Sequence, residues 1–228
     1  MTQTKDVRPD CLLTALLSLQ LLLLAVTPAI SGSEIYRYTE QHGVMTTFFD
    51  WQLHHSDDDT VTIISRGDRT HYINVCEQNG ATISWRMQGK DTDISARRED
   101  NTLFIAGSDA GKAIDRKIIL DDLPWFQPLS YSLRHLLARG NGEKQRFWMI
   151  RPDTLKPQKF QATRDEMKEI TIGNDTFAAT RVTIRPDGML AGLWQASYWF
   201  RAADGLFLRY EGIHGLPGTA KTIITLIP

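Results

Sequence analysis

Residues 69–88 read RTHYINVCEQNGATISWRMQ, and this stretch decides the fold. Arg69–Glu77 is a strand. Asn79-Gly80 follows, the strongest short-range hairpin signal, because both residue types accept positive φ. Beyond it, Ala81–Gln88 sets Ile83, Trp85 and Met87 at alternate positions, which predicts that all three share one face. A strand, a tight turn and a second strand make an antiparallel hairpin, and the rest of the chain repeats that grammar.

Towards the N-terminus, Ile35–Gln41 and Val44–His55 are rich in Tyr, Phe, Thr and Trp. Asp57-Asp58-Asp59 separates them from Thr60–Arg66, and Gly67-Asp68 leads into the hairpin. Towards the C-terminus come weaker strands at Asp93–Glu99, Thr102–Ala106 and Ala113–Leu120. After one interruption, strands resume at Lys144–Ile150, Pro157–Thr163, Met167–Ile172, Thr176–Arg185, Leu193–Ala202, Leu206–Glu211 and Thr219–Ile227. Gly173-Asn174-Asp175, Asp187-Gly188 and Asp204-Gly205 punctuate them. In Thr176–Arg185, Phe177 is out of step with Val182 and Ile184, which predicts a bulge near Ala178-Ala179. Strands recurring about every ten residues between turn signals form an antiparallel meander. About a dozen strands in one sheet must curl or close.

The interruption is helical. Leu129, Leu133, Leu136 and Leu137 fall at i, i+4, i+7 and i+8, with Phe126 one turn earlier. Pro128 suits a first turn, and Gly140 is placed to cap the end. The spacing predicts a helix over 128–138 whose leucine stripe packs on the sheet and closes an open side. The expected fold is therefore mainly β: a strongly curved antiparallel sheet or partly open barrel with one packed α-helix. No compositional linker divides residues 32–228, which read as a single domain.

The first thirty-one residues differ from the rest. Cys11–Val26 holds nine leucines in sixteen residues, after a polar start with Lys5 and Arg8 and before the small residues of Thr27–Ser33. This is the order of a secretory signal peptide, with Ala29 and Ser31 set for cleavage before Gly32. The run is short for a membrane span, which needs about 20 apolar residues. Asp6 and Asp10 weaken the positive start, so an uncleaved anchor is the competing reading and would give the only membrane contact. The expected location is periplasmic or secreted.

Lys and Arg total 26 against 27 Asp and Glu, a net charge of -1. A nucleic-acid partner normally demands a basic excess or face, so none is expected. Hydrophobic content of 42% is inconsistent with long disorder. Only Cys76 remains beyond the leader, so the domain folds without an internal disulfide, and that cysteine reads as a small buried apolar residue. Gly107-Ser108-Asp109-Ala110-Gly111-Lys112 imitates a phosphate loop but has three residues between its glycines and Ala113 after the lysine. It reads as a hairpin loop. His54-His55 beside the acidic triplet reads as a solvated turn, since adjacent residues on a strand point to opposite faces. No Gly-x-Ser-x-Gly elbow or His-Glu-x-x-His occurs, so no catalytic residue, metal or cofactor is assigned.

Aromatic residues carry the functional signal. Trp194, Tyr198, Trp199 and Phe200 fall in one strand, Phe207 and Tyr210 in its hairpin partner, and Phe147 and Trp148 in another. Trp194, Tyr198 and Phe200 are predicted on one face and Trp199 on the other. Such a face is either core or a groove for an apolar or glycan ligand. Arg201 and Arg209 stand either at the mouth of that groove or on the outer face, paired with acids such as Glu211.

Residues 120–211 carry a further pattern. Leu123-Pro124 precedes the helix that ends Leu136-Leu137. Arg146-Phe147-Trp148-Met149-Ile150, Glu169-Ile170-Thr171-Ile172-Gly173 and Phe177-Ala178-Ala179-Thr180-Arg181-Val182 follow. Tyr198-Trp199-Phe200 then leads to Asp204-Gly205-Leu206-Phe207-Leu208-Arg209-Tyr210-Glu211. This layout, roughly the last half of the chain, resembles exported bacterial β-rich families carried only as domains of unknown function. The resemblance implies an envelope location and an antiparallel, partly open barrel. It implies no activity. The expected function is non-catalytic: holding an apolar or amphipathic envelope component, or an envelope protein, on the concave sheet face. The ligand-binding candidates are Trp148, Trp194, Tyr198, Phe200 and Tyr210. A hydrolase of envelope lipid or glycan is the alternative.

Overall fold

The computed structural model describes residues 32–188, 192, 194–213 and 220–228, so residues 1–31, expected to form a signal peptide, lie outside them. The strands are β1 (Ser33–His42), β2 (Met45–His55), β3 (Thr60–Gly67), β4 (Thr70–Glu77), β5 (Thr82–Gly89), β6 (Thr92–Glu99), β7 (Thr102–Asp109) and β8 (Lys112–Ile119). The helical segment follows, and then β9 (Lys144–Arg151), β10 (Lys156–Ile172), β11 (Asp175–Pro186), β12 (Ala196–Arg201), β13 (Phe207–Ile213) and β14 (Lys221–Leu226).

Among the described residues, fourteen strands form one antiparallel sheet in the order β8-β7-β6-β5-β4-β3-β2-β1-β14-β13-β12-β11-β10-β9. Two meanders are joined where β1 pairs with β14. The free edges are therefore β8 and β9, consecutive in the chain, and the sheet curls without closing between them. Strands β5 and β12 are seven places apart. On a flat sheet that is about 34 Å at ~4.8 Å per strand, yet Trp85 of β5 and Tyr198 of β12 line one cleft.

The segment joining β8 to β9 fills the hollow. Its helix is much shorter than the predicted 128–138: α1 is the single turn Leu129–Ser132, followed by a 3-10 turn over Arg134–Leu136. The physical reason is burial on several sides. Tyr131, Ser132 and Leu133 are consecutive and all buried, so one leucine stripe does not describe the packing. Side-chain bonds also compete with helical ones: Ser132 Oγ donates to Gly80 O at 2.6 Å, and His135 Nδ1 lies 2.5 Å from Ser132 O. The chain stays in αR at Leu137, so Gly140 caps nothing.

This plug ties together two apolar cores. Phe126, Leu129, Leu133 and Leu136 join the core that includes Tyr38, Trp51, Phe147 and Phe200. Leu120 and Trp125 join a second core with Trp85, Ile94, Ile105 and Ile150. Trp125 and Phe126 diverge as neighbours on a strand do, and Trp125 bridges Trp148 of β9 in parallel.

Three local expectations are corrected. Ile83 does not share the face of Trp85 and Met87. Val75 pairs with Ser84 and Cys76 with Thr82, leaving Ile83 as an extra, exposed residue. That bulge turns Thr82 inward, where its Oγ1 accepts the Gln127 N–H at 2.9 Å. The irregularity expected at Ala178-Ala179 lies on the partner strand, where the register slips between Arg164 and Met167. Asp165 there accepts bonds from Arg181 Nε at 2.8 Å and Thr183 Oγ1 at 2.6 Å. The two strands expected at 157–163 and 167–172 are thus one long β10. The glycine-rich run is a hairpin, with Ala110 (φ 47) and Gly111 (φ 76) as its two turn residues.

Candidate functional site

Between the plug and the concave face lies a cleft of about 570 Å3, within the usual size range of ligand sites. Alternation builds its wall. Tyr38 points inward on β1, so Glu40 and His42 point inward too. The ladder sets Glu40 opposite Thr47 of β2 and Ile224 of β14. Ile224 faces Tyr210 of β13, which faces Tyr198 of β12. One inward row therefore runs Tyr198, Tyr210, Ile224, Glu40, Thr47, and all five line the cleft. A second stretch comes from β4 and β5, where Asn74 faces Trp85 and the rings of Tyr72 and Trp85 stack at 6.5 Å. The plug supplies the remaining side through Gln127–Ser130, with Trp51 Nε1 donating to Ser130 Oγ at 3.1 Å.

Much of the inner wall is buried. Burial drives the Tyr198 hydroxyl well above its ordinary range. Tyr72 and Tyr210 are raised first by burial and then by the nearby charge of Glu40. Glu40 itself is raised by burial, with His42 pulling the other way. Asn74 is 5% exposed, and its amide oxygen has no hydrogen-bond partner among the described residues. A hydroxyl–imidazole pair sits at the edge, His42 Nδ1 to Thr222 Oγ1 at 2.9 Å. Thr222 is 1% exposed, so its hydroxyl is not placed to reach a substrate carbonyl. Among the described residues no group of acidic, histidine or cysteine side chains has the arrangement of a metal site.

The five sequence-predicted residues divide. Tyr198 and Tyr210 line the cleft, with ring centroids 4.9 Å apart in an edge-to-face contact. Phe200 is fully buried behind them, stacked on Tyr198 at 6.4 Å. Trp194 precedes β12. It meets Phe160 edge-on at 5.8 Å, and its Nε1 donates to Ile213 O. Trp148 lies on β9 with the second core, its Nε1 donating to Asp121 at 2.7 Å beneath the Lys159 ammonium. Trp199 takes the other face, under the Arg209 guanidinium. Arg209 pairs with Glu211 at 2.5 Å and Arg201 with Asp204 at 2.5 Å, and neither lines the cleft. Reasoning from aromatic density missed the N-terminal wall of Glu40, Phe49, Trp51, Tyr72, Asn74 and Trp85. Its signal was present: Glu40 and Asn74 are polar residues at the inward parity of their strands.

No family model and no curated protein matches the chain. Solved structures do. A β-barrel-like protein of the domain of unknown function DUF1849 from Brucella abortus is 10% identical, with 85% of this chain and 94% of that one covered at a TM-score of 0.55. The hypothetical lipoprotein YmcC from Escherichia coli is 11% identical over 85% and 84% of the chains at 0.41. A LolA superfamily protein from Nitrosomonas europaea is 7% identical over 87% and 86% at 0.25. The first of these establishes a shared fold. The resemblance in the sequence therefore holds at the level of architecture: this is the open, barrel-like sheet found in families of unknown function.

Proposed function

We propose that this is an exported, non-catalytic binding protein of the cell envelope, released by cleavage of residues 1–31, that holds an apolar or amphipathic ligand on its concave face. The carrying observation is the aromatic-walled cleft between plug and sheet. Its walls are contributed by strands from both halves of the chain, so the space is a product of the whole fold. Covering that wall releases about 25 cal/mol per Å2 of apolar area. Tyr198 and Tyr210 are proposed as ligand contacts, with Phe200 supporting them from behind. The envelope location rests on the leader-like N-terminus and the resemblance to exported families. A hydrolase of envelope lipid or glycan has no comparable observation behind it.

The test is native mass spectrometry of protein purified from its own envelope, paired with binding of the fluorescent apolar probe N-phenyl-1-naphthylamine. Ser65 stands between Trp51 and Tyr72 in the ladder and faces the cleft. Ser65→Phe should fill the space and abolish both the bound adduct and the probe's enhancement. A wild-type protein that carries no adduct and leaves the probe dark would overturn the proposal.

A further inference from the structure

The cleft is apolar but not chemically uniform. Among its polar side chains are two hydrogen-bond acceptors, the Glu40 carboxylate and the Asn74 amide oxygen. Glu40 points inward from β1 in the row between Ile224 and Thr47, close enough to Tyr72 and Tyr210 to act on both hydroxyls. Among the described residues its carboxylate has no salt bridge, although the exposed acids Asp93, Asp153 and Asp204 are each paired with an arginine. Asn74 lines the same cleft with its amide oxygen buried and, among the described residues, unpaired. A buried acceptor left without a donor is costly, and so is a carboxylate held among aromatic rings. The charged residues of the lining are Glu40, Asp68 and Arg69. Asp68 and Arg69 are exposed neighbours in the β3–β4 turn and offset one another, so the interior charge is that of Glu40.

We propose that the head of the bound ligand is a cationic ammonium group, recognised by the Glu40 carboxylate and flanked by Tyr72 and Tyr210. Each element favours that chemistry. A carboxylate attracts a cation and repels a fatty-acid head. Aromatic faces carry negative potential that stabilises a cation. The apolar tail then lies along Phe49, Trp51 and Phe207. This inference rests on the cleft being a ligand site, and it narrows the ligand to an amphipathic amine.

The experiment displaces N-phenyl-1-naphthylamine at neutral pH with three probes of one chain length: octylammonium, octanoate and 1-octanol. Wild-type protein should prefer octylammonium to octanoate by about tenfold or more, as expected for one partly desolvated charge pair. In Glu40→Gln the ratio should fall to near one, with each probe normalised to octanol and the fold checked by circular dichroism. The wild-type ratio needs no variant, so it stands even if the substitution disturbs folding. Equal displacement by all three, or a preference for octanoate, overturns the ammonium assignment and leaves the apolar cleft intact. Failure of all three to displace a bound probe overturns the cleft reading and this one with it.

Discussion

Replacing Gln127 by leucine should loosen the plug. Its Oε1 accepts from Trp125 Nε1 at 2.9 Å and from the Ile150 N–H at 3.0 Å, while its Nε2 donates to Ile150 O at 2.9 Å. Ile150 lies on β9, a free edge of the sheet. One side-chain amide thus stands where the peptide of a further strand would stand, and bonds both backbone groups of one edge residue. Leucine keeps the volume and deletes all three bonds. Trp125 is 1% exposed and Ile150 is fully buried, so water reaches the stranded groups poorly. Each unmet buried partner costs about 1–3 kcal/mol. Some relaxation at the edge is expected, which puts the total near the low end, about 3 kcal/mol. Urea unfolding followed by tryptophan emission reads this as a lower midpoint at an unchanged slope. Gln78→Leu is the control: Gln78 is exposed and, among the described residues, its side chain bonds only Asp59, so it should move stability by no more than about 0.5 kcal/mol. Hydrogen exchange at the Ile150 amide should quicken in the first variant and not in the second. A Gln127→Leu protein within about 1 kcal/mol of wild type, the lower bound for a single lost partner, would refute the idea that this side chain latches the plug.

The other expectations concern single sites. Gly80 has φ +88, and an added Cβ would lie 2.8 Å from the Ser132 backbone; Gly80→Ala should cost about 2 kcal/mol by thermal unfolding, and a neutral result would mean that the turn and plug do not touch. Cys76 is buried, and burial pushes its thiol up to about 12, so iodoacetamide should label it only after denaturation; rapid native labelling would contradict the packing. Asp121 accepts bonds from Lys159 and Trp148, which hold its carboxyl down at about 2 against an ordinary 3.8. The folded value lies below the unfolded one, so its contribution is full above pH 3.8 and is lost as pH falls through about 2. Trp148→Phe removes one donor and should move the Asp121 midpoint upward in a carboxyl NMR titration. An unmoved midpoint would show that the indole bond contributes nothing.

The β grammar was open to reading because turns announce themselves. Asn79-Gly80, Gly173-Asn174 and Asp204-Gly205 all fall between strands where expected, and alternation correctly set Tyr198 and Phe200 of β12 on one face and Trp199 on the other. What local pattern could not show was which extra residue a strand carries. Ile83 looks inward by counting, and only the pairing of Val75 with Ser84 and Cys76 with Thr82 exposes it as a bulge. The helix failed for a related reason. Four leucines at helical spacing predict one buried face, but a segment enclosed by a curled sheet is buried on several, and its backbone gives way to side-chain anchors such as Ser132 to Gly80. For the cleft, aromatic density in β12 and β13 located one wall. The opposite wall depends on the β1–β14 pairing, which joins strands more than 180 residues apart in sequence, and no local pattern encodes that.

That long-range pairing also explains why the hollow exists. A meander that closed on itself would bond β8 to β9 and leave the connecting segment outside. Here the segment between them enters the hollow and serves as a partial replacement for the missing ladder. Phe126 N and Trp148 O bond at 2.8 Å, as do Trp148 N and Pro124 O, while Thr82 N bonds Trp125 O at 2.7 Å from the opposite wall. Arg116 of β8 reaches across the seam to the Thr154 and Leu155 carbonyls at 3.3 and 3.1 Å. The seam is thus held by a few side-chain and single-residue bonds where every other strand pair has a ladder. Because the plug occupies the space with apolar contacts on one side and leaves Gln127–Ser130 facing the cleft on the other, its seating sets the cleft's width. A loosened plug and an altered ligand affinity should therefore appear in the same variants, and Gln127→Leu is the place where the two can be measured together.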